Sequence, residues 1–189
     1  MWRTFQSREI LNIFRERFEA NRGQVYHASD FRTLSETLTQ IIKLNGVVKA
    51  VAARIPPSIK ALVMEVLDDA GVSLVEGRSA SEVSVADAGL TLADYGIADT
   101  GTLVEITELD RDRLVSSLPR IHITFLNTNN ILPKLEHLTE IIRSILSKNG
   151  KRCCVSLISG PSRTADIELQ QVLGVHGPHQ VHAIIGGMV

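Results

Sequence analysis

This sequence predicts an α/β fold: one mainly parallel sheet with helices on both faces. Three observations carry that expectation. Strand-like and helix-like segments alternate along almost the whole chain. The strand-like segments, such as 47–53 and 120–126, are nearly continuous apolar runs, as expected of strands buried on both sides. The composition is that of a globular chain, with 44% hydrophobic and 22% charged residues over 189 positions, long enough to bury a core without staples. There is no internal repeat and no low-complexity linker. The chain therefore reads as a single domain over 1–189, with the helix at 3–20 as a candidate peripheral element.

The elements follow in order. The first helix covers 3–20 and places Phe14 and Phe18 one turn apart. A short strand follows Gly23 at 24–28. Ser29 or Asp30 caps the next helix, whose apolar face is Phe31, Leu34, Leu38, Ile41 and Ile42, and Gly46 ends it. Residues 47–53 form a buried strand. Pro56 and Pro57 break it and start a helix that carries Ile59, Leu62, Val63, Val66 and Leu67 on one side and stops at Gly71. A short strand at 72–75 comes next. Residues 79–95 show no period that assigns them. Pattern returns at 96–99 and 102–107, one hairpin or two strands meeting at Thr100-Gly101, and again in a strand at 120–126. Ile131, Leu135, Leu138, Ile142 and Ile145 make the clearest amphipathic helix, with Lys148 in its last turn and Gly150 at its end. A strand at 153–158, a helix at 163–172 and a strand at 180–185 complete the series.

Composition also excludes functions. A net charge of −1 and 4% aromatic residues give no electrostatic or stacking basis for nucleic acid, nor for an anionic membrane. The first residues mix Arg and Glu with apolar side chains, unlike a signal peptide, and no apolar run is long enough to span a bilayer. The expected location is the cytoplasm. The two cysteines, Cys153 and Cys154, are adjacent in a strand and point to opposite faces, so they neither share a metal nor form a bridge. They read as core residues. An iron–sulfur cluster usually needs four thiolates, so this chain holds none unaided.

Residues 159–186 are the densest in candidate chemistry. Ser159-Gly160-Pro161-Ser162 is a turn, a helical segment opens near Arg163 and stops at Gly174, and Val175-His176-Gly177-Pro178 turns into a last strand that carries His182. A Gly/Pro turn ahead of a helix N-terminus aims free backbone N–H groups at one point, which suits an anion. Ser162 and Thr164 are N-cap types, and Asp166 and Glu168 fall in the first turn, so helix capping alone accounts for all four. Arg163 opposes the helix dipole and so needs a partner anion or a salt bridge. Upstream, Thr100-Gly101-Thr102 either wraps a carboxylate or phosphate or is a tight turn that needs glycine for positive φ. His176, in a Gly/Pro turn, is placed for a hydrogen bond to substrate or for acid–base work. His176, His179 and His182 lack a recognised ligand spacing, so no metal site is assigned. His122, inside an apolar strand, reads as a satisfied core histidine. Gly96 and Gly101-Thr102 have phosphate-loop spacing without its Lys, Ser162 lacks the second Gly of a nucleophile elbow, and no Gly-x-Gly-x-x-Gly turn is present.

SGPSRTADIE at 159–168, followed by GVHGP at 174–178, resembles the LUD domain of the lactate-utilisation proteins, specifically their C-type subunit. ADYGIADTGTLVEI at 93–106 and RLVSSLPRIHI at 113–123 fit the same pattern and occur in the expected order. The resemblance implies a fold like that of the sugar isomerases and CoA transferases, which also includes formyltetrahydrofolate cyclo-ligase. It implies a cytoplasmic assembly that oxidises L-lactate to pyruvate, in which partner subunits carry the iron–sulfur clusters and this chain is the cluster-free member. Thr100, Gly101, Thr102, Ser162, Arg163, Thr164, Asp166 and Gly177 would then surround a small carboxylate or acyl ligand. Asp166 or Glu168 would hold Arg163, and His176 and Glu168 are the catalytic candidates. The alternative is a stand-alone enzyme of the related fold acting on a phosphorylated, CoA-linked or folate-type substrate, with Glu168 as nucleophile or base.

Overall fold

The structure, a computed structural model, describes residues 2–149, 153–164, 172–173, 177–187 and 189. Helix α1 (Trp2–Ala20) leads into strand β1 (Gln24–His27), then α2 (Phe31–Leu44), β2 (Lys49–Ala52), α3 (Pro57–Asp69) and β3 (Ser73–Val75). A short helix α4 (Ala80–Ser84) precedes β4 (Ala88–Ala93), β5 (Tyr95–Ile97), β6 (Thr102–Thr107) and helix α5 (Asp110–Ser117). The chain continues through β7 (Ile121–Asn127), β8 (Ile131–Leu132), α6 (Glu136–Asn149), β9 (Cys154–Ile158), β10 (Arg163–Thr164), β11 (Val172–Leu173) and β12 (Gln180–Gly186).

Six strands form a parallel sheet in the order β1-β12-β7-β4-β2-β3. Helices α2 and α3 cover one face, burying Leu34, Leu38, Ile41, Ile59 and Val63 against Leu90, Ile123, Phe125 and Ile184. Asp30 caps α2 as the sequence predicts, accepting from Thr33 N at 2.8 Å. The opposite face is covered differently from a layer of helices alone. There α1, α4 and α5 share the surface with a second sheet of order β8-β5-β6-β9, whose far side packs on α6 through Leu138. The hairpin expected around Thr100-Gly101 is the antiparallel β5/β6 pair. Helix α1 is anchored by Phe14 and Phe18, fully buried and stacked with ring centroids 5.5 Å apart, so its second half belongs to the core.

Four expectations need correction. Phe31 is half exposed, because as the first residue of α2 it lies beyond the edge of the sheet-facing stripe formed by Leu34, Leu38 and Ile41. Ile131 is not helical. Pro133 disfavours helix in the residue before it, so 131–132 extend and pair with β5, and α6 begins at Glu136. Leu135 consequently precedes the helix and is exposed. The helix expected from 163 is absent at both of its described ends, where Arg163 and Thr164 pair antiparallel with Leu173 and Val172. The Ser and Thr that suggested a cap hydrogen-bond the backbone equally well outside helices. Finally, Cys153 and Cys154 are half-buried rather than core residues, and Cys153 precedes β9.

Candidate functional site: a hydroxyl-lined cavity over a buried acid–imidazole pair

Helix α5 lies directly on β4. At Gly89 any Cβ would overlap the Val115 carbonyl, so only glycine admits this approach. That seat turns Arg113, Leu114, Ser116 and Ser117 toward a cavity of about 440 Å³. Strand β9 and the turn after it supply Ser156, Leu157, Ile158, Ser159, Gly160 and Ser162, while Gly177, Pro178 and Val181 close the remaining side. The second wall is tied to the third by Ser162 N donating to Pro178 O at 2.9 Å. The Thr102 and Ser159 hydroxyls bond at 2.8 Å, joining β6 to the same wall.

The two glycines of the facing turns serve α1. Gly101, at φ 58°, fits against the backbone of Arg17 and Phe18, and Gly160, at φ 145°, fits against the Asn21 carbonyl. Neither position has room for a Cβ, and both φ values favour glycine. Thr100 is exposed beside them, and its carbonyl accepts from Asn21 Nδ2 at 3.4 Å.

Below the cavity floor lies a polar cluster with no access to solvent. Glu105 on β6, His122 on β7 and Thr91 on β4 are all buried. The Thr91 hydroxyl donates to Glu105 Oε1 at 2.5 Å and accepts from His122 Nε2 at 2.7 Å, while His122 Nε2 stands 3.3 Å from the same carboxylate oxygen. Thr124 Oγ1 lies 3.2 Å from Thr91 Oγ1. Burial alone would raise the Glu105 carboxyl, but bonds from His122, Thr91 and Ser116 outweigh it and hold it below the ordinary glutamate range. Ser116 thus touches both the carboxylate and the cavity, and Ser156 is the direct cross-strand neighbour of Glu105. Among the described residues, His122 Nδ1 has no hydrogen-bond partner, so His122 is a core histidine satisfied on one ring nitrogen only.

A profile described as the LUD domain matches residues 11–185. The chain belongs to the LUD domain family. Proteins named lactate utilization protein C from Shouchella clausii and Bacillus subtilis are 35% identical over 101 residues and 38% over 95. Lactate utilization protein C 1 from Bacillus mycoides is 40% identical over 102 residues. These alignments cover 53%, 49% and 53% of this chain and only 44%, 39% and 43% of the relatives, so less than half of each relative is spanned. A crystal structure of a DUF162 family protein from Deinococcus radiodurans superposes with a TM-score of 0.66 at 22% identity, covering 96% of this chain and 98% of that one, which establishes the shared fold.

The LUD domain brings some of the sequence-predicted residues together and leaves others apart. Ser162 and Gly177 line the cavity, and Thr102 stands one hydrogen bond from it. Gly101 and Thr100 sit behind it against α1. The backbone of Arg163 and Thr164 continues from the cavity wall as β10. Asp166, Glu168 and His176 lie outside the described residues. His179 is exposed, whereas His182 is buried. Sequence reasoning missed Arg113, Ser116, Ser117 and Ser156 as lining residues, and Glu105 as the buried acid. A usable signal existed: Glu105 and His122 are single ionisable residues in the middle of apolar strands, each needing a partner. Among the described residues, no group of three His, Cys, Asp or Glu could hold a metal ion, and no helix is long and apolar enough to cross a membrane.

On the opposite face of the main sheet, His182 stacks on Tyr26 and bonds its hydroxyl and the Gln180 side chain. Burial, and secondly the nearby His122, push its imidazole down to about 4. An unfolded chain takes up that proton near 6.5, so stability is fully present above that pH and is lost as pH falls toward 4. Wild-type LUD domain should lose about 2–3 kcal/mol between pH 7 and 4.5 from this group. The Glu105 contribution acts lower, fading only below its unfolded value of 4.5. Urea denaturation at the two pH values should show the slope in the wild type and a flatter response in His182→Gln. An equal slope in both would assign the acid sensitivity elsewhere.

Proposed function

We propose that this LUD domain acts in lactate utilisation, as the cluster-free member of an assembly whose partner subunits carry iron–sulfur clusters and oxidise L-lactate to pyruvate. The cavity is its ligand site and takes a small carboxylate or acyl group. One observation carries this reading: the three sequence stretches that resemble the family's pattern, far apart in the chain, all reach one cavity or the polar cluster beneath it. The names of the relatives support the metabolic setting. The chain's two adjacent thiols support the division of labour, because a cluster usually needs four.

In this reading Arg113 meets the carboxylate, and the serine hydroxyls, led by Ser162, donate to its oxygens. Thr102 holds Ser159 in the wall, with Thr100 and Gly101 shaping the turn behind. Arg163, Thr164 and Gly177 orient the ligand, Asp166 or Glu168 holds Arg163, and His176 moves the proton. Oxidation of a 2-hydroxy acid releases two electrons and two protons, and the electrons leave through the partners.

Tagged protein purified from native extract should bring down iron–sulfur proteins and support lactate-dependent dye reduction. Arg113→Ala should lower that rate about 10- to 100-fold, the value of one charge-assisted contact. Its melting temperature should hardly change, because Arg113 is half exposed and bonds only locally to Asp110 at 3.4 Å. Undiminished turnover would remove Arg113 from the site, and a lone inactive chain would defeat the assembly reading.

A further inference from the structure

The main sheet has a second crevice, which shares helix α5 with the hydroxyl-lined cavity but has a different lining. The chain leaves β2, crosses one face through α3 to reach β3, and returns across the other face through α4 to β4 on the far side of β2. The winding direction therefore reverses at β3, and the connections that leave β2 and β3 go to opposite faces. In open parallel sheets such a reversal parts the connections beyond the carboxyl ends of the strands and leaves a crevice there. A cavity of about 220 Å³ occupies that place, between Ala52-Ala53-Arg54 after β2, Glu76-Gly77 after β3, and Arg111 and Asp112 of α5.

Arg54 is the unusual residue in it. Its backbone is left-handed at φ 57°, a conformation uncommon for any residue with a side chain. Its guanidinium is three-quarters buried and clamped by Asp94, through Nη1 at 3.0 Å and Nη2 at 2.5 Å. Asp94 is itself fixed by accepting from Ile106 N at 2.6 Å. Asp94 thus takes two of the five donors a guanidinium offers, and orients the rest. The carboxylates at the rim have cations of their own: Glu76 pairs with Arg78, and Asp112 lies 3.5 Å from Arg111. Strained backbone and a part-buried ion pair are a poor way to fill a core, where apolar residues stabilise as well or better.

We infer that this crevice is a second ligand site, in which the clamped Arg54 and the rim residue Arg111 take the oxyanion group, phosphate or carboxylate, of a compact small molecule. The volume sets the size, since it lies below the roughly 300–1,000 Å³ of pockets for larger ligands. Floor residues Ala52 and Ala53 leave the ligand's body in contact with short side chains and backbone. The inference does not rest on the reading of the other cavity.

The test uses the intact protein and two probes, inorganic phosphate and malonate, against sodium chloride at matched ionic strength. At least one probe should raise the melting temperature saturably, by about 5 °C at a hundredfold excess over its dissociation constant. Phosphate alone acting would identify a phosphoryl ligand, malonate alone a carboxylate, and both the shared oxyanion. Arg54→Ala removes the close bidentate partner of Asp94, so the deciding variant is Arg111→Gln, which is more than half exposed, gives up only a 3.5 Å approach to Asp112 and keeps an amide donor for it. It should weaken the apparent affinity at least fivefold and leave the ligand-free melting temperature within a degree. Arg113→Gln, in the other cavity, should not alter the phosphate response, and any part of the malonate response it removes belongs to that other cavity. The inference fails if neither probe exceeds chloride, or if the response survives Arg111→Gln unweakened.

Discussion

Replacing Glu105 with alanine should lower the unfolding free energy by about 3–5 kcal/mol, with a fall of roughly 10 °C or more in melting temperature. The carboxylate accepts from Thr91 and stands 3.3 Å from His122 inside a buried cluster, so its removal takes the closest acceptor from the Thr91 hydroxyl and the only carboxylate from beside the imidazole, among the described residues. Glu105→Gln keeps an acceptor and loses the charge, and should fall between the two. His122→Ala and the double variant complete a cycle in which the combined loss is smaller than the sum, with a coupling of about 0.5–3 kcal/mol. The alanine variant should also loosen α5 through Ser116, and with it the cavity wall. Urea denaturation gives these numbers, and a loss below about 1 kcal/mol for Glu105→Ala would mean that the cluster contributes no more than a surface pair.

Phe18→Ala is the second large effect, about 3–5 kcal/mol for a fully buried aromatic. Phe18 stacks on Phe14, its ring fills the space over Gly23, and its backbone closes on Gly101. The loss should be felt away from the ring, since the turn at Gly101 rests on the last turn of α1 and the turn at Gly160 on Asn21 just after it. Amide exchange at those glycines should accelerate in the variant beyond the rise seen in β7, which lies deeper in the main sheet. A uniform acceleration would show that α1 supports the whole domain and not these turns in particular.

How much of this was legible in the sequence varied with the physics of each segment. Where a stripe repeats over several turns and a cap marks its start, as from Asp30 to Ile42, sequence and structure agree closely. Strand β4 was unreadable because its pattern answers to its neighbours: Gly89 makes room for α5 and Thr91 serves the buried cluster, so neither signals a strand. Helix α5 was missed for the complementary reason, being short, polar and held by where it packs. The second sheet was missed because periodicity reports burial and says nothing of which sheet a strand joins. For the site, the motif turns were legible and two of the predicted residues, Ser162 and Gly177, do line the cavity. The place of Arg113 in the lining was not, because it depends on a close helix approach that Gly89 admits.

The position of β12 has a consequence for how the chain acquires its structure. This strand lies between β1 and β7, so β1 waits for a segment made about 155 residues later before it has any strand partner. At about 5–20 residues per second of synthesis, the interval between them is roughly 8–30 seconds. Through that time Val25 and Tyr26 have no strand beside them, and for the last third of it β7 presents an open edge. Such non-local closure makes folding slow and exposes the nascent chain to association with others. A chaperone that shields the edge of β7 until β12 is made should therefore raise the yield of native protein more than any stabilising surface substitution.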